Sequence, residues 1–136
     1  MKRKDDWIDR LVTYLESVNR TPFEWGKHDC FLFCMGAVDA MYGRKTLYKR
    51  FAGRYAAESD IAAVCKEEGY ASPVAFVASQ FPKRESNFAI QRGDIVVFDG
   101  DQGVTFGIWQ GNRIYAAGAE GLGTVDGSLV RAGFAV

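Results

Sequence analysis

The sequence holds few of the residues from which metal sites and disulfide frameworks are built. It has one histidine, His28, and three cysteines in 136 residues. An odd number of cysteines among apolar neighbours argues against a disulfide framework, so we expect three free thiols. Cys30 and Cys34 lack the CxxC spacing, and a single histidine makes a closed zinc site improbable. No glycine-rich turn opens a helix after a strand, so we expect neither a metal nor a cofactor.

An excess of charge and a long apolar run are also missing. Lys plus Arg and Asp plus Glu both number 17, so no overall field attracts nucleic acid, and we expect no nucleic-acid partner. No stretch approaches about 18 consecutive apolar residues, and the first residues lack the apolar segment of a secretory signal. The sequence therefore predicts no membrane span and synthesis in the cytosol. A local basic cluster over residues 44–54 is interpreted as a solvated face.

What is present fits one globular domain with its own core. Hydrophobic residues make up 48% of the chain and aromatic residues 14%, which is the composition of a soluble folded protein. Helical patterns come first and strand patterns second, without an internal repeat. We therefore predict an α+β fold over residues 1–136, with a helical part at 1–82 and a β part at 90–136.

The predicted helices differ in how much of their surface is apolar. The first, over residues 6–18, has one apolar face. The second begins after Asp29 as N-cap and ends at Gly43, and it is apolar nearly all round, which predicts a central position. Two peripheral helices are predicted to begin at Ser59 and at Ser72-Pro73.

Short β-rich runs follow from residue 94 onward. They cover residues 94–98, 104–109, 113–117, 124–125 and 129–136. The dipeptides Asp99-Gly100, Gly111-Asn112 and Asp126-Gly127 favour tight hairpins, so neighbouring strands are expected to pair antiparallel. The N-terminal helices should pack on this C-terminal sheet.

Cys30 is the candidate nucleophile because it falls in the first turn of the buried helix. Free amides and the helix dipole stabilise a thiolate there. A nucleophilic cysteine also needs a base, normally histidine, and His28 is the one candidate in the chain. A histidine two residues away reaches its neighbour only awkwardly, so the alternative stays open that Cys30 is a small apolar residue of the core.

Three short motifs carry a resemblance to a known family. Trp25-Gly26 followed by Asp29-Cys30 at a helix start resembles the nucleophile motif of NlpC-type papain-like cysteine peptidases. Residues 92–98 are similar to that family's Gly-Asp strand start, and residues 106–111 are similar to its next strand. The resemblance covers residues 22 to about 118 and implies a papain-like fold. Residues 23–30 are also similar to small proteins encoded in tailed phages and prophages.

The resemblance fails at the catalytic histidine. The family places this histidine two residues before a Gly-Ile pair, where the sequence has Thr105, and the residue that orients it corresponds to Tyr115. Neither side chain replaces imidazole, because a hydroxyl is not a base at neutral pH and a phenol is protonated there.

The resemblance and this departure together imply a structural component of a phage tail tip or baseplate. Such a protein would be assembled in the host cytoplasm, reside in the virion tail and bind other tail proteins. One alternative is an active cysteine peptidase or amidase acting on cell-wall peptidoglycan, with Cys30 as nucleophile and His28, or a histidine of a neighbouring chain, as base. Another is a soluble module that binds a host protein.

Overall fold

The computed structural model describes residues 2–101 and 103–136, and it is α+β as the sequence predicts. The helices in this part of the chain are α1 (Trp7–Ser17), α2 (Cys30–Tyr42), α3 (Thr46–Phe51), α4 (Glu58–Glu67) and α5 (Pro73–Gln80). The strands are β1 (Ile95–Gly100), β2 (Gly103–Trp109), β3 (Arg113–Gly118), β4 (Gly121–Asp126) and β5 (Val130–Phe134). Short 3₁₀ turns occupy Asn87–Ala89 and Gly127–Leu129.

The helix α2 lies at the centre, which confirms the prediction from its apolar surface. Its N-cap Asp29 accepts a hydrogen bond from the amide of Leu32, and Gly43 ends it with φ of 69°. Nine of the thirteen residues between these caps are buried. The helix packs against α1 and α3 on one side and against β2 and β3 on the other, so the sheet covers the apolar surface that the neighbouring helices leave open.

The five strands form one antiparallel sheet in the order β4-β3-β2-β1-β5. Three of the connections are hairpins between sequence neighbours. The prediction of a hairpin at Asp126-Gly127 is wrong, because β5 crosses to the far edge and pairs with β1. The reason is that β1 is buried from Ile95 to Phe98, and such a strand needs a neighbour on both sides to satisfy its backbone.

Other element boundaries show where local signals were weak. The short helix α3 was not expected, and α4 begins at Glu58 after Ala57, so Ser59 is not its cap. Ser72 does cap α5, accepting from the amide of Ala75, and Pro73 occupies the first turn as predicted. Among the described residues, no helix has the length and apolar character needed to cross a membrane.

A buried carboxylate joins the two ends of the described chain to the start of the sheet. Asp94 is 0% exposed and pairs with the guanidinium groups of Arg3 and Arg84. It also accepts from the backbone amides of Gln91 and Val136. Because all these donors converge on one side chain, Asp94 fixes the position at which β1 begins.

Candidate functional site

Cys30 opens α2 at the wall of a cavity of about 810 Å³. The cavity lies between the loop before α2, the start of α4 and one end of the sheet. Its lining residues are Phe23, Trp25, Cys30, Glu58, Phe98, Asp99, Gly100, Asp101, Val104, Thr105, Ala116, Ala117, Ala119, Thr124, Val125 and Leu129. The side chain of Cys30 is half-buried, so its sulfur belongs to this wall rather than to the closed core.

The strands β2 and β3 separate beside Cys30. They pair at Ile108–Tyr115 and Trp109–Ile114, and their register ends there. Phe106, two residues before Ile108 on β2, packs its ring against Phe31 of α2 at 5.7 Å between centroids. The backbone of Phe106 is also among the groups that favour the ionised form of the Cys30 thiol.

The electrostatics at Cys30 oppose the predicted thiolate. Hydrogen bonds from the backbone of Phe106, Phe31 and Cys30 itself lower the pKa of the thiol, as expected at a helix start. Desolvation is the larger effect and raises the pKa to about 11, with the charge of Asp29 acting in the same direction. Burial of the sulfur thus acts against the predicted thiolate, because desolvation outweighs the backbone groups that favour the charged form.

His28 is directed to a different part of the molecule. It is 6% exposed, its ring meets the edge of Phe33 at 5.9 Å, and it lines a second cavity together with Tyr14 and Tyr48. This second cavity shares no lining residue with the cavity at Cys30. Burial lowers the pKa of His28, and its Nε2 is buried without a hydrogen-bond partner in the described part of the chain. The structure does not bring His28 and Cys30 together.

Of the two positions that match the family's catalytic residues, one lies beside Cys30. Thr105 lines the same cavity, but its hydroxyl donates to the carbonyl of Gly103 at 3.1 Å. Tyr115 pairs with Ile108 in the sheet and packs against the helix-facing core. It is not among the residues lining the cavity. Neither side chain supplies a base for the thiol.

The loop that presents Cys30 is held by a contact with Tyr55 that no sequence pattern predicted. Asp29 is 0% exposed and accepts from the amides of Leu32 and Gly26 and from the hydroxyl of Tyr55, the last at 2.6 Å. Gly26 has φ of 83°, and a Cβ there would lie 1.8 Å from the carbonyl oxygen of Tyr55. Asp29 is thus the predicted helix cap and also an anchor for a segment 26 residues further along the chain.

The charged groups lining the Cys30 cavity are all acidic. Glu58, Asp99 and Asp101 contribute carboxylates, and no lysine, arginine or histidine is among the described lining residues. No group of three or more histidine, cysteine or carboxylate side chains is placed to hold a metal ion within residues 2–101 and 103–136. The arrangement therefore offers a neutral thiol, amide donors and an acidic wall, without a proton acceptor matched to the thiol.

Comparison with known proteins places the chain in a family without assigning it an activity. No curated protein matches the sequence. One family matches over residues 2–136, which is all but the first residue of the chain. The chain therefore belongs to the family described as Domain of unknown function (DUF6950).

Proposed function

We propose that this protein is a non-catalytic structural component of a phage tail tip or baseplate, built on an NlpC-type papain-like fold. The observation that carries the proposal is the missing base at Cys30. The single histidine of the chain lines a separate cavity, and the matching strand position holds Thr105. A thiol whose pKa is raised to about 11 and that has no imidazole partner is a poor nucleophile at neutral pH.

The order of elements supports the papain-like part of the proposal. A cysteine stands at the first turn of a buried helix, and that helix packs against an antiparallel sheet. The second strand of the sheet passes the cysteine, and Thr105 lies on this strand and lines the same cavity. This is the arrangement that the resemblance of residues 25–30, 92–98 and 106–111 implies.

The tail assignment depends on the similarity of residues 23–30 to phage- and prophage-encoded proteins. In this role the partners are other tail proteins, assembly takes place in the host cytoplasm, and the mature location is the virion tail. The decisive experiment is to tag the protein in a phage or prophage that encodes it and to look for it in purified virions. Recovery at a fixed copy number supports the proposal, and its complete absence from virions contradicts it.

An active cysteine amidase or peptidase acting on peptidoglycan is the second candidate. It is favoured by the place of Cys30 at a helix start beside an open cavity, where the backbone of Phe106 and of Phe31 lowers the pKa of the thiol. Release of muropeptides from purified cell walls distinguishes the two functions, with Cys30→Ala and His28→Ala as matched variants. The structural proposal expects no release above background from any of the three proteins. Release that Cys30→Ala abolishes would establish the enzyme, and its further loss in His28→Ala would identify the base.

A further inference from the structure

The second cavity, of about 560 Å³, lies on the helical side of the molecule. Its walls come from α1, from α2, from α3 and from the loop that precedes α2. The volume falls in the range of sites that bind small organic molecules, about 300–1,000 Å³. No function described above uses this cavity.

The two tyrosine hydroxyls of this cavity are satisfied within the protein, whereas the buried Nε2 of His28 on the same wall has no partner among the described residues. The hydroxyl of Tyr14 donates to the carbonyl of Phe33 at 2.8 Å, and that of Tyr48 donates to the carbonyl of Lys27 at 2.7 Å. Val18, Pro22, Gly36 and Ala40 add aliphatic or backbone surface to the wall, and most of the other lining side chains are charged. A guest that lies against the tyrosines and these aliphatic residues meets ring faces and aliphatic carbon, which favours an apolar group.

Gly36 helps to form this cavity. A Cβ at Gly36 would lie 2.4 Å from the hydroxyl oxygen of Tyr14, so the ring of Tyr14 lies directly over the backbone of α2. A larger residue would displace the tyrosine from its bond to Phe33. The observed position of Tyr14 therefore requires a residue without a side chain at position 36.

The rim of the cavity carries positive charge that the protein does not neutralise. Lys27 pairs with Glu24 at 3.2 Å. The carboxylate of Asp39 is occupied by Arg44 and by the amides of Leu47 and Tyr48. Lys45 and Lys49 also line the cavity, and neither forms an ion pair with any described residue. An anionic group above the apolar interior would be complementary to these two ammonium groups.

We propose that this cavity binds a carboxylate that carries an apolar ring or branched chain, with the apolar group inside and the carboxylate between Lys45 and Lys49. A free organic acid and the C-terminal residue of a polypeptide both have this chemistry. The proposal does not depend on the function of the Cys30 cavity. It reinterprets part of the basic cluster at residues 44–54 as a recognition surface rather than a solvated face.

The test is a titration of the ¹⁵N-labelled full chain, followed by NMR. The probes are 3-phenylpropionate, its amide 3-phenylpropionamide, a tetrapeptide ending in phenylalanine with a free carboxylate, and the same peptide amidated. We expect saturable shifts at Gly36 and Ala40 with both carboxylates and weaker binding, by about tenfold, of both amides. If the free acid binds as tightly as the peptide, a small molecule suffices; much tighter binding of the peptide identifies a polypeptide terminus.

Two variants separate charge from shape. Lys45→Gln with Lys49→Gln should weaken carboxylate binding about three- to tenfold and leave amide binding unchanged. The matched control is Lys66→Gln with Lys83→Gln, which removes two exposed charges outside the cavity. Ala40→Leu should fill the cavity and abolish the shifts, and its thermal unfolding shows whether the fold is kept.

Three results would overturn the proposal. One is the absence of saturable shifts at millimolar probe. Another is equal affinity for acid and amide in the unaltered protein, which would remove the role of the lysines. The third is a shift pattern centred on Cys30 and Thr105, which would place binding at the other cavity.

Discussion

His28 and Cys30 stand two residues apart in the chain, yet their side chains line two cavities that share no residue. The residue between them, Asp29, is fully buried and fixes the turn through its bonds to Gly26, Leu32 and Tyr55. With the turn held in this way, the imidazole and the sulfur face different cavities. The turn that places Asp29 as the cap of α2 therefore also directs His28 and Cys30 into separate cavities.

Alkylation of Cys30 should be slow at neutral pH. A pKa of about 11 leaves a thiolate fraction on the order of 10⁻⁴ at pH 7, and the fraction rises about tenfold per pH unit. We expect the rate with iodoacetamide, measured by intact-protein mass spectrometry, to follow this rise. Cys30→Ser is the control for Cys34 and Cys65, which are 0% exposed. Rapid modification at neutral pH that does not change with pH would mean that the amides outweigh desolvation.

Acidification should reduce stability through His28. Burial lowers the pKa of the folded imidazole below its ordinary value of 6.5. As the pH falls below 6.5, the unfolded chain takes up a proton that the folded protein resists, so the free energy of unfolding decreases. Because His28 is the one histidine, its titration can be followed by NMR on a single imidazole signal. His28→Gln should make stability less dependent on pH between its folded pKa and 6.5; an unchanged profile would assign the effect to other groups.

Removing the hydroxyl of Tyr55 should destabilise the turn before Cys30. Tyr55→Phe leaves the buried carboxylate of Asp29 without one of its three donors, at a cost of about 1–2 kcal/mol in the free energy of unfolding. Denaturant unfolding measures this cost. Tyr115→Phe is the matched control, since the hydroxyl of Tyr115 makes no hydrogen bond within the described residues, and it should change little. Equal effects of the two substitutions would show that the hydrogen bond to Asp29 does not contribute to the free energy of unfolding.

Asp94 should be among the residues least tolerant of substitution. Asp94→Ala would leave two guanidinium groups and two backbone amides without their shared acceptor, at a cost of about 3–5 kcal/mol. Asp99→Ala, which breaks an exposed pair with Arg131, should have a much smaller effect. Chemical denaturation of both variants tests the difference. A small decrease in the free energy of unfolding for Asp94→Ala would mean that water satisfies the two guanidinium groups when the carboxylate is removed.

The parts of the fold that the sequence predicted depend on local signals. Asp29 and Gly43 define the ends of α2, Ser72-Pro73 defines the start of α5, and the short β-rich runs from residue 94 onward identify the strands. The helix α3 was not predicted because its N-cap, Lys45, makes no side-chain cap bond. In addition, only two of its six residues, Leu47 and Phe51, are buried, which is too few for a recognisable helical pattern. Such a short helix is held by its packing on α2 rather than by its own propensity.

The candidate site was predictable in position but not in electrostatics. The helix start at Cys30 and its proximity to Thr105 follow from the motifs. The balance between backbone groups and desolvation depends on how far the sulfur is covered, and the residues around it, such as Phe98 and Thr105, are distant from Cys30 along the chain. The partnership of Asp29 with Tyr55 likewise joins positions that no local pattern connects.

The crossing of β5 to the edge beside β1 has a consequence for synthesis on the ribosome. β1 is the most buried strand, and half of its backbone ladder is supplied by residues 130–134. The loop before β1 is held by the same segment. The amide of Arg84 donates to the carbonyl of Gly133, and the amide of Ala135 donates to the carbonyl of Pro82. A nascent chain that has emerged only through β4 therefore presents an open apolar edge, the kind of edge that invites aggregation. Folding of this domain should finish only when residues 130–135 have left the exit tunnel, as a late, long-range closure.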